Sequence, residues 1–163
     1  MKTCCFFGHR KLINDFLIRR RLLIVVEKLI NDGYYRFMIG THGEFDSLAL
    51  SVCRELRKKY EIKIVVVFTS LSKLNRAKFT NVSCVDLYDD CETVFFETEE
   101  CYFKQHIIVA NQKIINESNF VICYIDVSKN KSGAKIAVDY ALKKEVNIFN
   151  LFQKEDYLIS CNS

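Results

Sequence analysis

The chain has 163 residues, half of them apolar and 27% charged, with 24 basic against 20 acidic side chains for a net charge of +4. That size and apolar share exclude a disordered segment and predict one domain over 1–163. The mild basic excess suits an anionic small molecule as well as nucleic acid and does not decide between them.

The sequence contains no run of 18 apolar residues, and the amino terminus turns polar at His9-Arg10 before a signal-peptide core can form, so a cytoplasmic, unexported protein without membrane association is expected. Eight cysteines are present, yet none forms a Cys-x-x-Cys pair. They read as small hydrophobes, and no metal site is predicted.

Thr3 to Phe7 is a short apolar run stopped by Gly8, as expected of a buried strand. Helical spacing of apolar residues follows from Lys11 to Asn31, with Asn31-Asp32-Gly33 as its stop. A second short strand is predicted over Arg36–Ile39 and a second helix over Glu44–Lys58. The stretch Ile62–Phe68 is nearly all β-branched, which predicts burial on both faces of a parallel sheet.

From Thr69 to Cys101 the pattern weakens into irregular structure, with a short strand at Val82–Val85 and an acidic stretch holding Asp86, Asp89, Asp90, Glu92, Glu97, Glu99 and Glu100. That stretch reads as a solvated face, or else as a metal or partner site. Regularity resumes with a helix over Tyr102–Glu117, a strand over Phe120–Ile125, a helix over Gly133–Lys144 and a last strand over Asn147–Leu151. The alternation predicts an α/β fold with a Rossmann-like, doubly wound, mainly parallel sheet flanked by helices. In such sheets a ligand sits beyond the carboxyl ends of the strands.

Three turns fall at those ends. Gly8-His9-Arg10 follows the first strand, where a glycine, helix N–H groups and a guanidinium would together accept an anion; an ordinary turn with a surface arginine is the alternative. Gly40-Thr41-His42-Gly43-Glu44-Phe45-Asp46 forms the second, an anion-accepting nest beside two carboxylates. Glu44 and Asp46 either stabilise the helix start or serve a ligand, as ribose or magnesium contacts or as a general base. Ser132-Gly133 starts the last long helix as a third small, polar amino terminus. Arg19-Arg20-Arg21 reads as a solvated basic face, with nucleic-acid contact the weaker alternative.

The opening Thr3-Cys4-Cys5-Phe6-Phe7-Gly8-His9-Arg10 resembles the Thr-Cys-Cys-Phe-Thr-Gly-His-Arg start of the YpsA-like branch of the SLOG superfamily. Gly40, Gly43 and Asp46 fit that branch's glycine-and-aspartate turn, and Asn111, Ser118 and the stretch 133–141 fit its later pattern. The resemblance implies a Rossmann-like fold and a site for a nucleotide, a nucleotide sugar or an ADP-ribose-like ligand, with magnesium as the cation such a ligand would bring. Lonely Guy phosphoribohydrolases are similar in layout, but the arginine and glutamate they use have no counterpart in Ala110-Asn111-Gln112-Lys113 or in Ser132-Gly133-Ala134-Lys135-Ile136-Ala137.

Three functions are therefore expected in order. The first is a sensor or carrier holding a nucleotide-derived ligand through Gly8, His9, Arg10, Gly40, Thr41, Gly43, Asn111, Ser132 and Gly133. The second is a nucleotide N-glycosidase or phosphoribohydrolase using Glu44 or Asp46. A single-stranded nucleic-acid binder comes last, and the apolar faces of the first helix leave room for a homodimer.

Overall fold

The computed structural model describes residues 1–69, 86–96, 103–129 and 132–156. Strand β1 (Lys2–Gly8) leads through helix α1 (Asp15–Asn31) to β2 (Tyr34–Ile39), and α2 (Glu44–Arg57) leads on to β3 (Lys63–Phe68). After a 3-10 turn at Asp86–Tyr88 come β4 (Glu92–Phe95), α3 (Phe103–Asn116), β5 (Phe120–Tyr124), α4 (Gly133–Lys143) and β6 (Asn147–Asn150). All strand pairs are parallel, in the order β4-β3-β2-β1-β5-β6. This is the doubly wound α/β architecture that the alternation predicts, and the strand order reverses between β1 and β5.

The period-2 alternation of each strand divides its side chains between two helical layers. Cys4, Phe6, Phe37, Ile39, Ile64 and Val66 pack with Ile18, Leu22 and Val26 of α1 and with Ala49, Val52 and Leu56 of α2. Their neighbours Cys5, Phe7, Met38, Val65 and Val67 point the other way, onto Ile114 and Ile115 of α3 and Ala137, Val138 and Ala141 of α4. Four cysteines belong to this packing. Cys4, Cys5, Cys53 and Cys123 are buried free thiols, and burial pushes Cys5 and Cys123 up to about 12. They are inert hydrophobes at neutral pH.

Several boundaries shift for local reasons. Helix α1 starts at Asp15, four residues after the expected Lys11, because the Asn14 side chain accepts the Leu17 N–H at 3.2 Å and caps it there. Gly33, at φ +89°, supplies the left-handed residue just past its end. Strand β4 replaces part of the expected irregular acidic stretch. It is a four-residue edge strand pairing Val65–Phe68 with Glu92–Phe95, too short and too exposed to show alternation. The expected strand at Val82–Val85 and the side chains of Glu97, Glu99 and Glu100 lie outside the described residues.

Asp90 anchors the acidic stretch to α2. It accepts bonds from Arg54 Nη2 at 2.6 Å and Arg54 Nε at 3.0 Å and a further one from Arg57, which hold its carboxyl well below the usual carboxylate range. The basic triplet of α1 is likewise only partly solvated. Arg19 pairs with Glu55, while Arg21 clamps the fully buried carboxylate of Asp156 at 2.8 and 3.0 Å and also reaches the Leu151 carbonyl at 3.2 Å. Only Arg20 of the three matches the expected exposed face. Phe16 and Ile24 of α1 also remain exposed. Among the described residues no helix is long and apolar enough to cross a membrane.

Burial alone would raise the pKa of Asp156, but bonds from Arg21, the Gln153 N–H and the Tyr124 hydroxyl favour its ionised form and lower it. Its folded pKa therefore lies below the unfolded one, so the contribution is complete above about pH 4 and is lost as pH falls through the folded value. Asp156→Asn should cost about 2–3 kcal/mol at pH 7, since it removes a charged acceptor from the guanidinium. Thermal melts from pH 7 to pH 2 should show the gap between wild type and variant closing below about pH 4; a gap constant with pH would refute the ionic account.

Candidate functional site

Three strand-end turns and one helix build the site at the β1/β5 reversal. Gly8 pairs with Tyr124 at the ends of β1 and β5, and the His9 N–H continues that ladder to the Tyr124 carbonyl at 3.2 Å. His9 Nε2 accepts the Asp126 N–H at 2.9 Å, and its ring stands edge-on to Tyr124. Partial burial, followed by the nearby Lys129 charge, pushes the His9 pKa below its ordinary value, which fits a neutral ring used as an acceptor. His9 thus ties the two strands at the point where the sheet opens.

The glycines of the first two turns make room for packing. A Cβ on Gly8 would stand 2.3 Å from the Phe45 ring, so Gly8 admits the first turn of α2 against β1. A Cβ on Gly43 would lie 2.7 Å from Arg10 Cα, which lets the first and second turns run in contact. The expectation that Gly8-His9-Arg10 opens directly into a helix is not met, because residues 9–14 form a loop before α1. A dipole from α1 therefore does not act at Gly8.

Glu44 braces the two turns together: its N–H donates to the Arg10 carbonyl at 2.9 Å and its Oε2 accepts the Leu12 N–H at 2.6 Å. Asp46 instead folds back over Gly40, accepting the His42 N–H at 2.8 Å. His42 Nε2 is hydrogen-bonded to the hydroxyl of Thr69, the buried residue that follows β3. At the third turn the Ser132 hydroxyl accepts the Lys135 N–H at 3.1 Å and caps α4. The preceding positions Gly133 and Ala134 carry first-turn N–H groups that have no acceptor within the helix itself.

These turns enclose a cleft of about 310 Å³ lined by Gly8, His9, Arg10, Gly40, Asp46, Asn111, Ser132 and Gly133, eight of the residues expected from the sequence. Thr41, Gly43 and Glu44 fall outside it: all three line a shallow groove between the α1 and α2 amino termini. Sequence reading did not assign His42, Thr69, Ile107, Ile114 or Ala134, which also line the cleft. Thr69 was findable, since it directly follows the clearest strand; Ile107 and Ile114 carry only the signal of any core-facing helix.

A wider groove of about 700 Å³ runs between α2 and the 3-10 turn, but Arg19 and Arg54 on its walls are engaged by Glu55 and Asp90. The smaller cleft combines apolar walls from Phe6, Phe7, Ile107 and Ile114 with a few convergent polar groups, the usual make-up of a small-molecule site. Among the described residues no cluster of three or more His, Cys, Asp or Glu side chains forms a metal centre. No protein-family model matches this chain, and no curated protein is significantly similar to it.

Two outcomes check this geometry. Gly8→Ala should cost about 1–3 kcal/mol through overpacking against Phe45, and Phe45→Leu in the same chain should recover part of the loss in denaturant melts. His9 has a folded pKa below the unfolded one, so its contribution is present above about pH 6.5 and fades as pH falls. The Asp126 amide resonance should titrate with a midpoint below the ordinary imidazole value, and a midpoint above it would contradict the acceptor role.

Proposed function

We propose that this chain is a binding module, a sensor or carrier, for a phosphate-bearing nucleotide-derived ligand such as a nucleotide, a nucleotide sugar or an ADP-ribose-like molecule. The observation that carries the reading is the convergence of three strand-end turns and Asn111 on one cleft at the reversal of strand order. Arg10 supplies a planar cation that suits a phosphate group, and the α4 amino terminus adds backbone N–H groups and the positive end of its dipole. Asn111 of α3 offers both donor and acceptor from above.

The resemblance of Thr3 to Arg10 to the YpsA-like branch of the SLOG superfamily supports the same ligand class. A magnesium ion arriving with the phosphates would meet Asp46, the single carboxylate among the described residues that line the cleft. That same carboxylate is the observation favouring the second reading, N-glycosidic hydrolysis, in which Asp46 would support the leaving sugar or activate water. Glu44 is poorly suited to that role, since its carboxylate faces the neighbouring groove and holds the Leu12 N–H.

Thermal shift with the four common nucleoside monophosphates and ADP-ribose, run beside an assay for free base, tests both readings. A ligand at 100 times its Kd should raise Tm by about 5–10 °C in a chain of this size. Arg10→Ala should weaken binding about 10- to 100-fold. Base release abolished by Asp46→Ala would establish the enzyme, whereas the absence of any Tm shift across the panel would overturn the nucleotide reading.

A further inference from the structure

We infer that Asn111 is the base-reading residue of the cleft and that its carboxamide sets which nucleobase the ligand carries. The inference rests on the nucleotide reading above and deepens it. Among the described residues that line the cleft, seven have polar side chains. Five of these, His9, His42, Asp46, Thr69 and Ser132, hold a hydrogen bond within the protein. The side chains of Arg10 and Asn111 make no hydrogen bond or ion pair among the described residues, so a cation and an amide are what the cleft leaves open to a ligand.

The fold does not account for an asparagine at this position. Ile107, Asn111 and Ile114 follow one another at i, i+4 and i+7 on one face of α3, where Ile114 and the adjacent Ala110 are core residues. A leucine would continue that apolar stripe and favour the helix, whereas asparagine costs helix propensity. Mid-helix asparagines can offset the cost by bonding a nearby backbone group, and Asn111 makes no such bond. A half-buried amide beside isoleucines, with no partner, gives up hydration without return from the protein.

The two open groups ask for different chemistry. A phosphate dianion only accepts; it suits the Arg10 guanidinium but would leave the Asn111 carbonyl oxygen unmet. A carboxamide sets that acceptor beside an NH2 donor, and a single ligand group satisfies both when it presents a donor next to an acceptor in one plane. The edge of a nucleobase has this pattern, as in the bidentate pairing of asparagine with N6 and N7 of adenine. Its flat ring also matches the apolar wall that Ile107 and Ile114 supply on either side of the amide, from which the hydroxyls of a sugar gain nothing.

The test measures Kd by calorimetry for AMP, GMP, CMP and UMP, with ribose 5-phosphate as the probe that lacks a base. In the wild type the best and worst nucleotides should differ by about tenfold or more, the size of one well-made hydrogen bond. Asn111→Leu should bring all four to within about twofold of one another and leave ribose 5-phosphate affinity unchanged. With the unpartnered amide gone, the same variant should raise the ligand-free Tm by about 2–4 °C. Asn111→Asp, which can only accept, should shift the ratio of GMP to AMP affinity about tenfold toward GMP, whose N1–H and N2–H stand side by side as two donors. A wild-type spread under about twofold, a spread that survives Asn111→Leu, a ratio unmoved by Asn111→Asp, or a fall in Tm that gives the amide a structural role would each overturn the inference and leave the nucleotide reading standing. If neither the nucleotides nor ribose 5-phosphate bind the wild type, that reading falls and takes this one with it.

Discussion

A phenyl ring seated where a side chain would otherwise begin holds the site together. Phe45, in the first turn of α2, lies against Gly8 at the end of β1 and stacks with Tyr124 at the end of β5, their ring centroids 6.1 Å apart. Any residue with a Cβ at position 8 would push α2 away from the sheet. With the glycine in place, α2 closes over the β1 end, the Gly40-to-Asp46 turn comes down beside Arg10, and Glu44 fastens the two turns through the Arg10 carbonyl and the Leu12 N–H.

Tyr124 extends this interlock through the molecule. Its ring also meets His9 and Phe152, and its hydroxyl reaches Asp156, which Arg21 of α1 grips from the other side. The carboxyl ends of β1 and β5 are thus fixed from above by α2 and from behind by the segment after β6. A binding cleft gains from such support, because ordering its walls in advance lowers the entropy cost of binding. The cleft's charge is arranged along the same line of strand ends, with cationic and N–H groups beside β1 and α4 and carboxylate, imidazole and hydroxyl groups beside β2 and β3.

The architecture was largely legible in the sequence because its strands are unusually explicit. The run Lys63–Phe68 reads as a strand buried on both faces, and Gly33 marks the end of α1, whereas apolar spacing passes over the Asn14 cap that starts that helix in favour of Lys11. Strand β4 was not legible, since four half-exposed residues at a sheet edge carry neither alternation nor a continuous apolar run. In the site, small residues at strand ends pointed to Gly8, Gly40 and Ser132, and eight expected residues share the cleft. What spacing could not supply was direction: Glu44 and Asp46 lie two positions apart in one helical turn, and only the fold sends one to the groove and the other to the cleft. Nor could it show that Gly8 serves Phe45, a contact made between distant parts of the chain.

The central place of β1 has a consequence for how the chain acquires its structure. Cys4 pairs on one side with Phe37 and on the other with Phe120, so at about 5–20 residues per second one neighbour is made about 2–7 s after it and the other only after about 6–23 s. In the interval, β1 through β3 can gather under α1 and α2, while the β1 edge and the apolar face carrying Cys5, Phe7 and Met38 wait uncovered. An open strand edge beside an apolar surface is the usual starting point for association between nascent chains. Of that face only Phe7 later lines the cleft, so what the cell must keep apart until β5 and its two helices close over it is the future core on that side of β1 and β2.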